Sequence, residues 1–272
     1  MEKIVVSGSF DNIKSRQVRF LEEAAKFGPV HVYLWSDKAV KALTGTEPKF
    51  PFEERKYFLQ AIRYVYNVHS IKQIPGLDEL PQIDGFKPRM WIVTQDNDSP
   101  QKLVYCTSQG IIYTVIDEED LQGFPIQPIE DITPTSRKKV LVTGSFDWLH
   151  SGHVRFFEET SELGDLYVVV GHDENLRLLK GEGHPMFPED ERRYMVGSIK
   201  YVKQALISSG HGWMDAEPEI EIIEPDLYVV NEDGDQPEKR AFCKKHGLEY
   251  VVRNRTPAVG LPRRESTRLR GF

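Results

Sequence analysis

GSFDWLHSGH, residues 144 to 153, follows a short β-branched run that starts at Lys139 and leads into HVRFFEETSELG (153–164), a polar and apolar pattern of helical period. Gly144 permits a tight exit from the strand. A chain that turns there into a helix aims unpaired backbone N–H groups at the space above a sheet, where an anion can bind. Working outward, DLYVVVG (165–171), PDLYVV (225–230) and LEYVV (248–252) read as strands. PEDERRYMVGSIKYV (188–202) and QPEKRAFCKKHG (236–247) read as helices, with Gly164 and Gly247 as helix stops. Strands alternating with helices imply right-handed crossovers and a parallel sheet covered on both faces, with ligands beyond the carboxyl ends of the strands.

The same loop occurs once more, as GSFDNIKSRQ at residues 8 to 17. Sliding the chain on itself by 136 residues gives eleven identities in the twenty-one positions from Gly8 to Gly28. One residue of slippage later, RKYFLQAIRYV (55–65) aligns with RRYMVGSIKYV (192–202), and DNDSPQK (96–102) with DGDQPEK (233–239). A repeat this long means duplicated domains and not a short-period solenoid. The expected fold is therefore α/β: two tandem Rossmann-like, doubly wound parallel-sheet domains related by internal duplication. Residues 1–120 and 138–272 form the domains, and 121–137, with Gly123, Pro125, Pro128 and Pro134, has the chemistry of a linker.

With 39% apolar and 28% charged residues the composition is that of an ordinary folded protein. There is no run of eighteen apolar residues, and MEKIVVSGSFD enters a strand at once, so a cytoplasmic location is the default expectation. Cys106 and Cys243 fall at matching places in the two halves and read as reduced, buried small hydrophobes. The net charge of −7 argues against a general nucleic-acid binder. Residues 251–272 nonetheless carry six arginines against one glutamate, which fits an anionic ligand or a solvated basic tail.

His150 and His153, three residues apart at a helix start, share one face, and Gly152 between them lets a ligand approach the backbone. Alone, HSGH fits ordinary satisfied histidines, metal ligands or phosphate donors. Two histidines without nearby cysteine or carboxylate partners make a poor zinc site, so no protein-held metal is expected. Phe146 and Trp148 read as packing residues.

GSFDWLHSGH, LKGEGHPMF, DERRYMVGSIKYV and RTPAVGLPRRESTR, in that order, resemble the cytidylyltransferase-like family of nucleotidyltransferases throughout residues 138–272. The tandem arrangement is similar to that of ethanolamine-phosphate cytidylyltransferases. GHVRFFEE and the PDLYVV region are similar to sugar-phosphate adenylyltransferases. The resemblance implies nucleotidyl transfer, most simply of CMP from CTP, to a small phosphorylated alcohol or sugar with release of pyrophosphate. An ATP-dependent adenylyltransferase acting on a sugar or cofactor phosphate, or a non-catalytic nucleotide sensor, are the alternatives.

It implies His150, His153 and Lys180 as catalytic residues. Gly144, Ser145, Phe146, Asp147, Gly152, Arg255, Thr256, Ser266 and Thr267 would hold the nucleotide, Asp147 by keeping the loop in shape, and Asp173, Arg192, Lys200, Arg263 and Arg264 the acceptor. Mg2+ would arrive with the triphosphate. The partners are then the nucleoside triphosphate and the phosphorylated acceptor, with no nucleic acid and no membrane span. Two departures from the family pattern stand out: PAVGLPRRE separates the Arg-Thr and Ser-Thr pairs, and NEDGD (231–235) replaces a Lys-Gly-x-Asp type of loop.

In the amino-terminal half Lys14 and Gln17 stand where His150 and His153 do, Thr44 replaces Lys180, and no Arg-Thr or Ser-Thr segment follows GIIYTVID. That half is expected to keep the fold without the reaction, as the inactive member of an intrachain pseudo-dimer; homodimers are common in the family the chain resembles.

Overall fold

A computed structural model describes residues 2–126 and 136–269. Most of the linker, residues 127–135, lies outside the described residues. The chain divides into two compact units on either side of the Gly123–Phe124 bond.

In the first unit β1 (Ile4–Gly8), α1 (Ser15–Ala25), β2 (Val30–Trp35), α2 (Asp37–Thr44), α3 (Phe52–Ala61), β3 (Val65–Ile71), β4 (Met90–Thr94), α4 (Pro100–Gln109) and β5 (Ile112–Ile116) follow one another. The strands pair in parallel in the order β3-β2-β1-β4-β5. The second unit runs β6 (Lys139–Gly144), α5 (Ser151–Ser161), β7 (Asp165–Val170), α6 (Asp173–Lys180), α7 (Glu189–Gly197), β8 (Val202–Ile207), α8 (Glu217–Ile223), β9 (Leu227–Asn231), α9 (Pro237–His246) and β10 (Glu249–Arg253). Its order, β10-β9-β6-β7-β8, is the first unit's topology again, also all parallel.

Strands of such sheets are buried on both faces and so read as continuous apolar runs. Val168, Val169 and Val170 are successive residues at 1% exposure or less. Helix ends carry their own signals: Ser99 caps α4 by accepting the Lys102 N–H, with Pro100 in the first turn and Gly110 closing the helix in the left-handed region. Cys106 and Cys243 sit on α4 and α9, both reduced and buried, and burial pushes each thiol up to about 11. No helix among the described residues is long and apolar enough to cross a membrane.

The repeated Gly-Ser-Phe-Asp loops show what each letter does. Phe10 and Phe146 both adopt left-handed backbone, φ 45° and 47°, which a bulky residue enters only when packing compensates. The ring folds back over the preceding glycine: a Cβ on Gly144 would stand 2.9 Å from Phe146 Cζ, and one on Gly8 3.4 Å from Phe10 Cε2. Asp147 accepts the Met186 and Phe187 N–H groups at 2.6 and 3.2 Å, as Asp11 accepts those of Lys49 and Phe50 at 2.7 and 2.9 Å.

One buried arginine locks each loop. Arg192, 1% exposed, donates to Phe187 O, Ser145 O and the Asp173 carboxylate; Arg55, 2% exposed, donates to Phe50 O, Ser9 O, Trp35 O and Asp37. Gly164 differs from its expected role. The α5 helix ends at Ser161, and glycine is required at 164 because a Cβ there would lie 2.1 Å from the Lys138 carbonyl, where the chain enters β7 beside β6.

Candidate active site

β6 delivers Gly144 to the carboxyl edge of the second sheet at β6, where the strand order reverses. The loop then places His150 as the N-cap of α5: its Nδ1 accepts the Gly152 N–H at 3.1 Å. That bond fixes the neutral tautomer, with the proton on Nε2. His153 stacks on it, ring centroids 3.9 Å apart, and Phe146 packs edge-on against His153 at 5.3 Å. A Cβ on Gly152 would press on the His150 ring at 3.0 Å, tighter than ordinary contact.

His150 Nε2 and His153 Nδ1 are buried polar atoms with no hydrogen-bond partner among the described residues. Such atoms mark a ligand position or an ordered water. Burial, reinforced by Arg255 and Arg264, pushes His150 down to about 3. Burial first, then His150, Arg255 and Lys180, lowers His153 well below the usual imidazole range. The two rings are therefore neutral donors and acceptors in a field made positive by three cations.

Those cations come from distant segments. Lys180, the last residue of α6, donates to Ser145 Oγ at 2.7 Å. The tail after β10 returns to the loop, where Ser266 Oγ donates to Trp148 O at 3.2 Å and the Arg264 carbonyl comes within 3.9 Å of where a Gly152 Cβ would lie. Arg255 ties that tail down by pairing with Asp233 at 2.5 Å and donating to Arg264 O at 2.9 Å. A hollow beside α5 is lined by Gly152, Asn254, Arg255, Thr256, Arg263 and Arg264.

The structure thus gathers His150, His153, Gly144, Ser145, Phe146, Gly152, Lys180, Arg255, Thr256, Arg263, Arg264 and Ser266 around one edge. Thr267 shares the Ser266 turn, but its side chain lies outside the described residues. Trp148 is 7% exposed and packs on Phe187.

Three expected acceptor contacts are placed differently. Arg192 is the internal lock described above, and Asp173 is its partner at 2.8 Å, with Arg177 at 3.7 Å. The first unit keeps the same pair as Arg55 and Asp37 while lacking the histidines, so both residues serve the scaffold. Lys200 precedes β8, whose Val202 pairs with Leu166 at the start of β7, so it stands at the amino edge of the sheet, opposite the site. Asp147 shapes the loop through backbone N–H groups and His184 Nδ1 at 3.1 Å.

Three residues at this edge received no role from the sequence, Asn231 among them although its NEDGD loop stood out. Asn231 ends β9 and lines the hollow with Asn254, and Asp215 accepts from Ser208 Oγ at 2.6 Å just past β8. Their spacing along the chain carries no signal, because three separate crossovers bring them there.

The family model described as cytidylyltransferase-like matches residues 141–270. The FAD synthase of Aciduliprofundum boonei is 40% identical over 117 residues, covering 42% of this chain and 75% of that protein. That of Ferroglobus placidus is 38% identical over 118 residues, covering 42% and 74%. Among solved structures, the lipopolysaccharide core biosynthesis protein of Thermoplasma volcanium is 29% identical at a TM-score of 0.38, covering 44% of this chain and 98% of that one. With a histidine-bearing strand-to-helix loop inside the matched segment, and relatives of which it covers about three quarters, the chain belongs to the cytidylyltransferase-like family.

Proposed function

We propose that the carboxyl-terminal domain is an ATP-dependent adenylyltransferase: an oxygen of a phosphate monoester attacks the α-phosphorus of ATP, the bond to the β-phosphate breaks, and pyrophosphate leaves. The observation that supports this most is the pair of stacked, neutral, buried imidazoles with an unpartnered nitrogen each, set at a helix start among Lys180, Arg255 and Arg264. The similarity to FAD synthases favours ATP over the CTP suggested by the family name. FAD joins an adenylyl group to the phosphate of FMN, which makes FMN the first acceptor to test.

Such a transfer needs positioning and charge neutralisation more than covalent help. His150 Nε2–H donates to an α- or β-phosphate oxygen without the ring first gaining a proton. Lys180 and Arg255 offset the charge that accumulates on the bridging oxygen as pyrophosphate departs. Among the described residues no group of three or more His, Cys, Asp or Glu could cage a metal ion. Mg2+ arriving with the triphosphate would bind its phosphate oxygens and supply further neutralisation.

The first domain lacks this cation set, and we assign it no turnover of its own. A pyrophosphate-release matrix tests the reading: four nucleoside triphosphates against FMN, phosphoethanolamine, glycerol 3-phosphate and sugar phosphates. Turnover with ATP supports it. Turnover confined to CTP would move the chain to the cytidylyltransferase reading, and silence across the matrix would favour a nucleotide sensor.

A further inference from the structure

The first unit holds a cavity of about 250 Å3 at the carboxyl edge of β1, β2 and β4, the place where the second unit gathers its histidines. Phe10, Phe20 and Trp35 form aromatic wall; Thr94, Asp96 and Asn97 form a polar rim. The groups that once matched the phosphate machinery are turned inward. Gln17, in the position of His153, is spent on the Lys14 N–H at 3.0 Å. Arg16 is the one cation among the described residues lining the cavity, and it is neutralised by Glu118 at 2.7 Å and Asp96 at 3.1 Å. Asp11 also lines the space. A polyanion entering would meet carboxylates without a matching cation.

From this geometry we infer that the amino-terminal domain binds a nucleoside free of phosphates. Aromatic faces suit a base, and a carboxylate and an amide at the mouth of a parallel sheet suit ribose hydroxyls. The volume is of the order of one small ligand. Asp96 keeps a 59% exposed side chain despite its contact with Arg16, so it can accept from a ligand hydroxyl. The duplication supplies the remaining argument: the cavity occupies the same topological switch point as the proposed nucleotide site, with the phosphate half of the chemistry removed and the space retained. That comparison rests on the nucleotide site proposed for the second unit, while the test reads binding without turnover.

Calorimetric titration of the full chain with adenosine, cytidine, guanosine and uridine tests it. At least one nucleoside binds with one-to-one stoichiometry, and Asp96→Ala weakens it about tenfold or more by deleting the hydroxyl acceptor. Arg16 keeps Glu118 in that variant, and circular dichroism shows whether the fold is kept. Asn97→Trp, at an exposed rim position, is the second variant and blocks the mouth without touching the core. The matching 5′-monophosphate shows about tenfold weaker Asn97→Trp-sensitive binding. The inference is overturned if no nucleoside binds at millimolar concentration, or if binding survives both rim variants, which would place the nucleoside in the other domain.

Discussion

Replacing His150 by Asn separates the titration of the imidazole from its structural job. Asn is a good N-cap and its side-chain oxygen can still accept the Gly152 N–H, so α5 keeps its start while the titrating ring disappears. In the unfolded chain the imidazole titrates near 6.5; in the native chain burial and the neighbouring arginines hold it at about 3. A folded-state value below the unfolded one means that folding expels a proton whenever the pH is under about 6.5. The stability tied to the neutral ring is complete above that pH and drains away as the pH falls toward 3.

Between about pH 7 and about pH 5 the loss is about 2 kcal/mol, since each pH unit below the unfolded value costs about 1.4 kcal/mol. His153 shifts in the same direction but is present in both chains, so it cancels to first order. Urea unfolding of wild type and His150→Asn at the two pH values is the assay. The wild type should lose about 2 kcal/mol more than the variant on acidification. Parallel pH profiles would show that the ring is not held neutral, and the picture of two uncharged imidazoles awaiting a polyanion would fall with it.

Arg192→Met should cost about 3 kcal/mol by leaving the Ser145 and Phe187 carbonyls and Asp173 without their donor, and Arg55→Met should cost a similar amount in the first unit. If thermal unfolding were unchanged while acceptor KM rose, Arg192 would belong to the acceptor site after all. Gly164→Ala should destabilise by several kcal/mol because its Cβ cannot coexist with Lys138 O at 2.1 Å, and an unaltered melting temperature would contradict the packing described. Lys180→Met should lower kcat about 100- to 1000-fold with little change in stability, since its Nζ contact with Ser145 is exposed. Equal kcat in the variant would remove Lys180 from the mechanism.

The fold was legible because a parallel sheet buried on both faces writes itself as β-branched runs separated by helical periods, and because the chain writes it twice. β8 and α8 escaped notice: KQAL mixes polar and apolar residues on a strand that is half-buried along most of its length, and EPEIEII is too short to show a period. The clustering of His150, Gly152 and His153 was legible because one loop carries all three. Elsewhere the resemblance put Arg192 and Asp173 at the acceptor. Arg192 and Asp173 carry the charges of an acceptor site, but they face each other inside the protein, and a linear sequence does not say which way a guanidinium turns. The duplicated half supplies that information in three dimensions: what it retains without histidines, Arg55, Asp37 and Asp11, belongs to the scaffold. Lys102 and Lys239 follow the same rule, each donating to a loop carbonyl, Asn97 O at 2.7 Å and Gly234 O at 3.3 Å.

The most direct measurement follows the label from ATP carrying radioactive phosphorus at the α or at the γ position, with FMN as acceptor and His150→Asn alongside. The account expects α-label in a new diphosphate-linked product, γ-label only in pyrophosphate, the two in equal amounts, and a fall of about 100- to 1000-fold in both for His150→Asn. Label from the γ position appearing on the acceptor, or α-label transfer that His150→Asn leaves intact, would contradict it.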